Sequence, residues 1–266
     1  MGFALNTLSN VVANLVFWVL LGVTFWSIGL VSARRFTSFF GLRNSNGIVI
    51  YLSNLYSSGT NPSGRSDGRT ISIHELHGAQ SVDRVLASAP LRLPELVRGL
   101  VDSIWLRGKI ESDVVVSPLD RASIDFSRNM VVIGSGVRNS ARAHYLNARL
   151  PVAAFSGEYQ GLLDFESRVV ATFDSGKTEI GRSGKNIGIL EKCRDREHGI
   201  VVFFCLGKRA DSSWGAAEYL VRHWNALARE FGDSDFLIYL EWPKIDGYLE
   251  HYIEPARMEF KDGFEN

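Results

Sequence analysis

The 266 residues carry 29 Lys and Arg against 29 Asp and Glu, so the chain has no formal net charge. That balance gives no argument for a nucleic acid polymer or an acidic substrate as partner. A 45% hydrophobic and 22% charged composition excludes a disordered tail and allows a packed core. Two cysteines, Cys193 and Cys205, are too few for a disulfide framework and fit a reducing compartment.

From Val11 to Ala33 there is no Asp, Glu, Lys or Arg. As a helix this run would be about 34 Å long at about 1.5 Å per residue, enough to cross a hydrocarbon core of about 30 Å. Trp18 lies inside it, and Trp26 lies nearer an interfacial position. Arg34 and Arg35 follow at once, whereas residues 1–10 hold no Lys or Arg. The positive-inside rule then places residues 1–10 outside and the C-terminal domain in the cytoplasm, on a single-pass helix in the inner or plasma membrane. Three other readings stand beside this one. Val31-Ser32-Ala33 resembles a cleavage site, but the run is long for a signal peptide and lacks a basic leader. A buried core helix would show polar residues at helical spacing, and a membrane hairpin would need a second apolar run.

Residues 34–46 read as a juxtamembrane linker and 47–266 as one domain. GIVIYLS (47–53) is a β-branched run with the pattern of a buried strand. Residues 57–70 are rich in Gly, Ser, Pro and Asp and read as a surface loop. Residues 74–88 and 93–106 can each form an amphipathic helix, with Pro90 and Pro94 between them. Strands follow at 113–118 and 129–134, a helix at 138–149 and a strand at 151–155. RVVATFDSGKTEI (168–180) reads as a strand and a turn. Further strands fall at 186–190 and 199–207, a long helix at 212–231, and the last convincing strand at 235–242, before a polar tail. Continuous apolar runs suit strands covered on both faces, as in a parallel sheet between helices. Strand, helix, strand units at 129–155 and 199–242 complete the expectation: an α/β, Rossmann-like, mostly parallel sheet flanked by helices, behind one transmembrane helix.

Gly134-Ser135-Gly136-Val137-Arg138-Asn139 follows a strand and opens a helix. Glycines there let the backbone approach a ligand, and free N–H groups at a helix start favour an anion such as phosphate. Arg138 would add a charge-assisted contact, and Asn139 would cap the helix or bond the ligand. Asn139 stands where a dinucleotide fingerprint has its third glycine, and Glu158 falls roughly where a ribose-binding acid would. The competing reading is an ordinary tight turn. Other strand ends that would share the crevice supply Ser53, Asn54, Ser117 and Lys208, with Arg209 beside it. A serine N-cap explains Ser212 and Ser213 without a ligand. Asp174-Ser-Gly-Lys-Thr178 resembles the end of a P-loop, but Ala171 replaces its first glycine, so a hairpin turn is the better account. His74-Glu-Leu-His77 lacks the i, i+4 spacing of a zinc-protease helix and reads as a surface helix end. The sequence shows no metal site, no cofactor motif and no catalytic constellation.

The order of apolar helix and α/β domain, with the turn VVIGSGVRN, resembles membrane-tethered sensor or effector proteins of bacterial nucleotide-signalling and antiviral systems, whose soluble domains include the CARF, SLOG and TIR-like groups. The resemblance implies a nucleotide contact at 134–139. The second glycine-rich loop of the SLOG group has only Ser213–Glu218 as a counterpart, and no catalytic Glu of the TIR kind can be placed, so the resemblance implies sensing rather than catalysis. The expected partners are a lipid bilayer, a nucleotide-like ligand and, as a further candidate, a second copy of the chain. Two alternatives stand: a membrane-tethered nucleotide hydrolase, glycosidase or transferase using Glu158, Asp120 or Glu218, and a scaffold without a small ligand. Valines at both Gly134 and Gly136 are expected to abolish ligand binding without unfolding the domain.

Overall fold

The computed structural model describes residues 16–20, 22–24, 27, 31–42, 47–54, 71–88, 110–117, 123–134, 139, 141, 144–145, 169–173, 176–180, 186–207, 209–243 and 250–258. The chain forms an α/β fold around a mixed seven-stranded sheet. Its strands are β1 (Ile48–Leu52), β2 (Ser112–Val116), β3 (Asn129–Ile133), β6 (Asn186–Asp195), β7 (Ile200–Gly207), β8 (Phe236–Trp242) and β9 (Ala256–Met258), in the order β2-β1-β3-β7-β6-β8-β9. A separate hairpin joins β4 (Val169–Phe173) to β5 (Gly176–Ile180). Gly176, Lys177 and Thr178 of the P-loop-like segment lie on β5 of this hairpin.

Strands β2, β1, β3 and β7 run parallel, and the side chains of β1, β3 and β7 alternate between two cores. Ile48, Ile50, Leu52, Val131, Ile133, Phe203 and Cys205 face one core; Val49, Tyr51, Met130, Val132, Val202, Phe204 and Leu206 face the other. Burial on both faces is why these strands read as unbroken apolar runs. The first face is covered by α1 (helical residues 31–39), α2 (Ile73–Ser88) and α3 (Ala210–Glu230). The second is covered in part by Ala141 and Tyr145, which lie on helical residues after β3.

The sheet is less uniformly parallel than its apolar runs suggested. β6 lies antiparallel between β7 and β8, and β9 is antiparallel to β8. The expected strand, helix, strand unit at 199–242 thus gives two strands of the same direction that are not neighbours. β6 also runs on to Asp195, past the apolar NIGIL, because its polar end is buried and partnered. Lys192 donates to the Gly232 carbonyl at 3.0 Å. Asp195 accepts from Tyr145 at 2.9 Å and lies 2.7 Å from the His198 ring, while the backbone N–H groups of Glu197 and His198 donate to its other oxygen. That carboxylate closes the β6–β7 turn.

Helix α3 begins at Ala210, two residues before the serines, and its N-cap is Arg209 rather than a serine. The tail also packs more than its polarity suggested. Trp242 donates to the Ile253 carbonyl at 2.8 Å, and Arg257 holds both oxygens of Glu230.

The segment read as a linker, 34–46, is helical at residues 34–39, continuous with helical residues 31–33, and buries Phe36, Phe39 and Phe40. Phe36 packs edge-on to Trp224, and Phe39 lies against Phe203 and Phe236. Arg35 donates to Asn225, Ser38 to Asp233, and Asn129 to the Phe40 carbonyl. Upstream, residues 16–20, 22–24 and 27 are helical. Phe17, Trp18 and Leu20 there are 59%, 67% and 61% exposed and belong to neither core. Among the described residues, no helix is long and apolar enough to cross a membrane. The expected helix at 93–106, the strand at 151–155 and the loop at 57–70 lie outside the described residues.

Candidate functional site

The chain leaves β1 for β2 on one side, then crosses back to β3 on the other. In open α/β sheets such a reversal is where ligands collect, here at the carboxyl ends of β1 and β3. Ser53 follows β1, Ser117 follows β2 and Gly134 follows β3, and all three are buried. Ser53 lies beside Gly134, and Ser117 bonds to Asn139.

Gly134 has φ +115°, a conformation open to glycine. A Cβ placed there would overlap Ser53 Oγ and the Glu75 carboxyl group. Gly134 is therefore required by packing beneath the loop. Valine here would strain the backbone and push into buried polar groups, so the double valine substitution would disturb the fold together with any ligand.

Asn139 and Ser117 are both buried, and their polar atoms face each other. Ser117 Oγ donates to Asn139 Oδ1 at 3.2 Å, the same oxygen accepts the Ala141 N–H at 3.2 Å, and Asn139 Nδ2 donates to the Tyr51 carbonyl at 3.3 Å. Asn139 thus caps the helix after β3 and ties it to the ends of β1 and β2. These two residues shape the site rather than reach into it. Asn139→Ala should cost about 2 kcal/mol, the loss of a cap plus a buried tie, read as a lower denaturant midpoint with unchanged slope.

Asn54 is buried beside Ser53. Ser135, Gly136, Arg138 and Lys208 lie outside the described residues, as do Asp120 and Glu158. Glu218 sits on α3 and pairs with Arg222 at 3.0 Å, a helix-surface pair. Arg209 lies 3.3 Å from buried Asp211.

Sequence reasoning missed Glu75, which sits in the first turn of α2 and is 2% exposed. The Ser53 backbone N–H donates to its Oε2 at 3.0 Å, and the Ser53 hydroxyl adds a second bond. Burial pushes the carboxyl up to about 7, against the opposing pull of the two Ser53 bonds. Its neighbours His74 and His77 pack their rings beside Trp214, at 6.0 and 6.3 Å. The segment is the surface helix end the sequence suggested, in the first turns of α2, with His77 exposed and His74 half-buried. A detectable signal existed: an acidic residue in the first turn of the helix after β1 stands at that strand's carboxyl end.

The arrangement places a buried carboxyl, held by Ser53, beside Gly134 at the end of β3. Among the described residues, no group of three or more His, Cys, Asp or Glu can hold a metal ion. Comparison with protein-family profiles, with curated proteins and with solved structures returns no match.

Proposed function

We propose that this chain is a membrane-anchored sensor or effector whose cytoplasmic Rossmann-like domain binds an anionic, nucleotide-like ligand at the carboxyl ends of the parallel strands. The observation that carries this reading is the convergence of Ser53, Ser117, Gly134 and Asn139 at the switch point. Ligands of open α/β sheets collect at such strand ends, and a helix start following a strand there suits an anion. In this reading Ser135 and Gly136 bring backbone to the ligand, and Arg138 and Lys208 supply charge.

The anchor is supported by the exposed apolar helical residues Phe17, Trp18, Leu20 and Val23, which need an apolar surrounding. Bacterial nucleotide signalling or antiviral defence is the setting this architecture suits. A second reading, a nucleotide-processing enzyme, is favoured by Glu75, whose carboxyl titrates near neutral pH as a general acid or base does.

A thermal-shift screen against mono-, di- and cyclic nucleotides tests the proposal. A saturable rise in Tm is expected, with product analysis of the same mixtures separating sensor from enzyme. Arg138→Ala with Lys208→Ala should weaken the hit about 10- to 100-fold, the worth of a charge-assisted phosphate contact. A cooperatively melting protein with no shift for any nucleotide would reject the ligand-binding reading in favour of a protein scaffold.

A further inference from the structure

We propose that residues 250–258 form a latch, which opens as one unit from α3 and from the outer edge of β8 while the rest of the domain stays folded. β9 is the outermost strand of the sheet on this side and pairs with only three of the seven residues of β8, Tyr239, Leu240 and Glu241. The segment that carries it is mostly exposed: Glu250, His251, Glu254, Ala256 and Arg257 face solvent, and of residues 250–257 Pro255 alone is buried. Tyr252 and Ile253 are half-buried against the edge of the core beneath α3. β8 differs, with Phe236, Ile238, Tyr239, Leu240 and Trp242 all buried. A segment with few buried apolar contacts and exposed backbone bonds opens locally at a far lower cost than the core does.

Polar contacts hold the segment closed, and they come from one stripe of α3. Arg222, His223 and Glu230 lie on one side of that helix at about 3.6 residues per turn. The Arg222 guanidinium sits 4.3 Å from the centre of the Tyr252 ring, His223 Nε2 lies 2.8 Å from Glu254 Oε1, and Arg257 donates to both Glu230 oxygens at 2.8 and 2.7 Å. Tyr252 donates to Glu254 at 2.9 Å and so joins the first two contacts. From the sheet side, Trp242 Nε1 adds its bond to the Ile253 carbonyl. Contacts that share one short segment and one helix stripe are made and broken together. Because the side chains in them are charged and largely exposed, salt screens them. What the latch covers is the outer edge of β8, an apolar strand whose N–H and C=O groups, once unpaired, would accept another strand. The domain thus guards that edge with contacts whose strength depends on ionic strength rather than with buried area.

The test is amide hydrogen exchange of the full chain in detergent, read by mass spectrometry at low and at high salt. Peptides over 250–258 are expected to exchange at least about 100-fold faster than those over β1 and β3, the mark of local rather than global opening. The β8 amides that face β9 should exchange with them, and those that face β6 should stay protected. High salt should speed the 250–258 group by about two- to fivefold and leave β1 and β3 unchanged, the worth of an exposed charged contact. Arg257→Ala changes an exposed side chain, so the domain should fold; it should speed the same group by about two- to fivefold at low salt and shrink the further effect of salt. Exchange of 250–258 at the rate of β3 would overturn the latch, since the segment would then open only with the whole domain. Separate rates for 250–253 and 256–258, or a rate indifferent to both salt and Arg257→Ala, would overturn it as well, since the segment would then fray piece by piece or be held by something other than the α3 stripe.

Discussion

A fragment beginning at Val31 is expected to melt cooperatively, and one beginning at Gly47 is expected not to fold. Residues 31–42 contribute Phe36, Phe39 and Phe40 to the core on the α2–α3 face of the sheet, each 1–2% exposed. Deleting one buried phenylalanine side chain costs about 3–5 kcal/mol, so losing three approaches or exceeds the whole stability of an ordinary domain, about 5–15 kcal/mol. The single substitution Phe39→Ala should cost about 3–5 kcal/mol by chemical denaturation. Phe39 touches Phe40, Phe203 and Phe236, and its ring lies 4.7 Å from the Lys192 ammonium. A Gly47 fragment with the same denaturant midpoint as the Val31 fragment would show that α1 is dispensable. Residues 31–40 thus belong to the domain's core rather than to a linker.

Glu75→Gln is expected to stabilise the protein at pH 8.5 and to leave it nearly unchanged at pH 5. Burial raises the carboxyl from its ordinary 4.5 to about 7, so the folded protein keeps a proton that the unfolded chain releases across that interval. Stability therefore falls as the pH rises from about 4.5 to 7, by about 3 kcal/mol in all, and stays lower above it. Glutamine accepts the Ser53 N–H in the same place and has no charge to bury. At about 2–4 °C per kcal/mol for a chain of this size, the variant's Tm should exceed the wild type's by about 6–12 °C at pH 8.5. Equal melting temperatures at both pH values would show that Glu75 ionises freely in the folded protein. The lowered carboxyls of Asp125 and Asp195 act in the opposite sense at acid pH and cancel in the comparison.

The sequence by itself determined the α/β class, the positions of β1, β2, β3, β7 and β8, the cores of α2 and α3, and the glycine turn after β3. These are local quantities. An apolar β-branched run of strand length is a buried strand wherever it lands, and a glycine between a strand and a helix marks a turn. The 174–178 hairpin was legible for the same reason.

The tertiary structure decided everything that depends on what lies opposite. Strand direction was one such matter: β6 enters antiparallel between β7 and β8, and its buried Lys192 and Asp195 are admitted because Gly232, Tyr145 and His198 meet them. The spacing of Phe36, Phe39 and Phe40 was a helical stripe in plain view, but only Phe203, Phe236 and Trp224 across the gap make it core rather than linker. The site divided along the same line. Its strand ends could be read from the chain, while the roles within it could not. Asn139 and Ser117 became a tie because their polar atoms meet each other, and Glu75 became a buried carboxyl beside Gly134 because α2 packs against β1 and β3. Local preference is written in neighbours along the chain, whereas burial, pairing and the cost of a charge are set by neighbours in space.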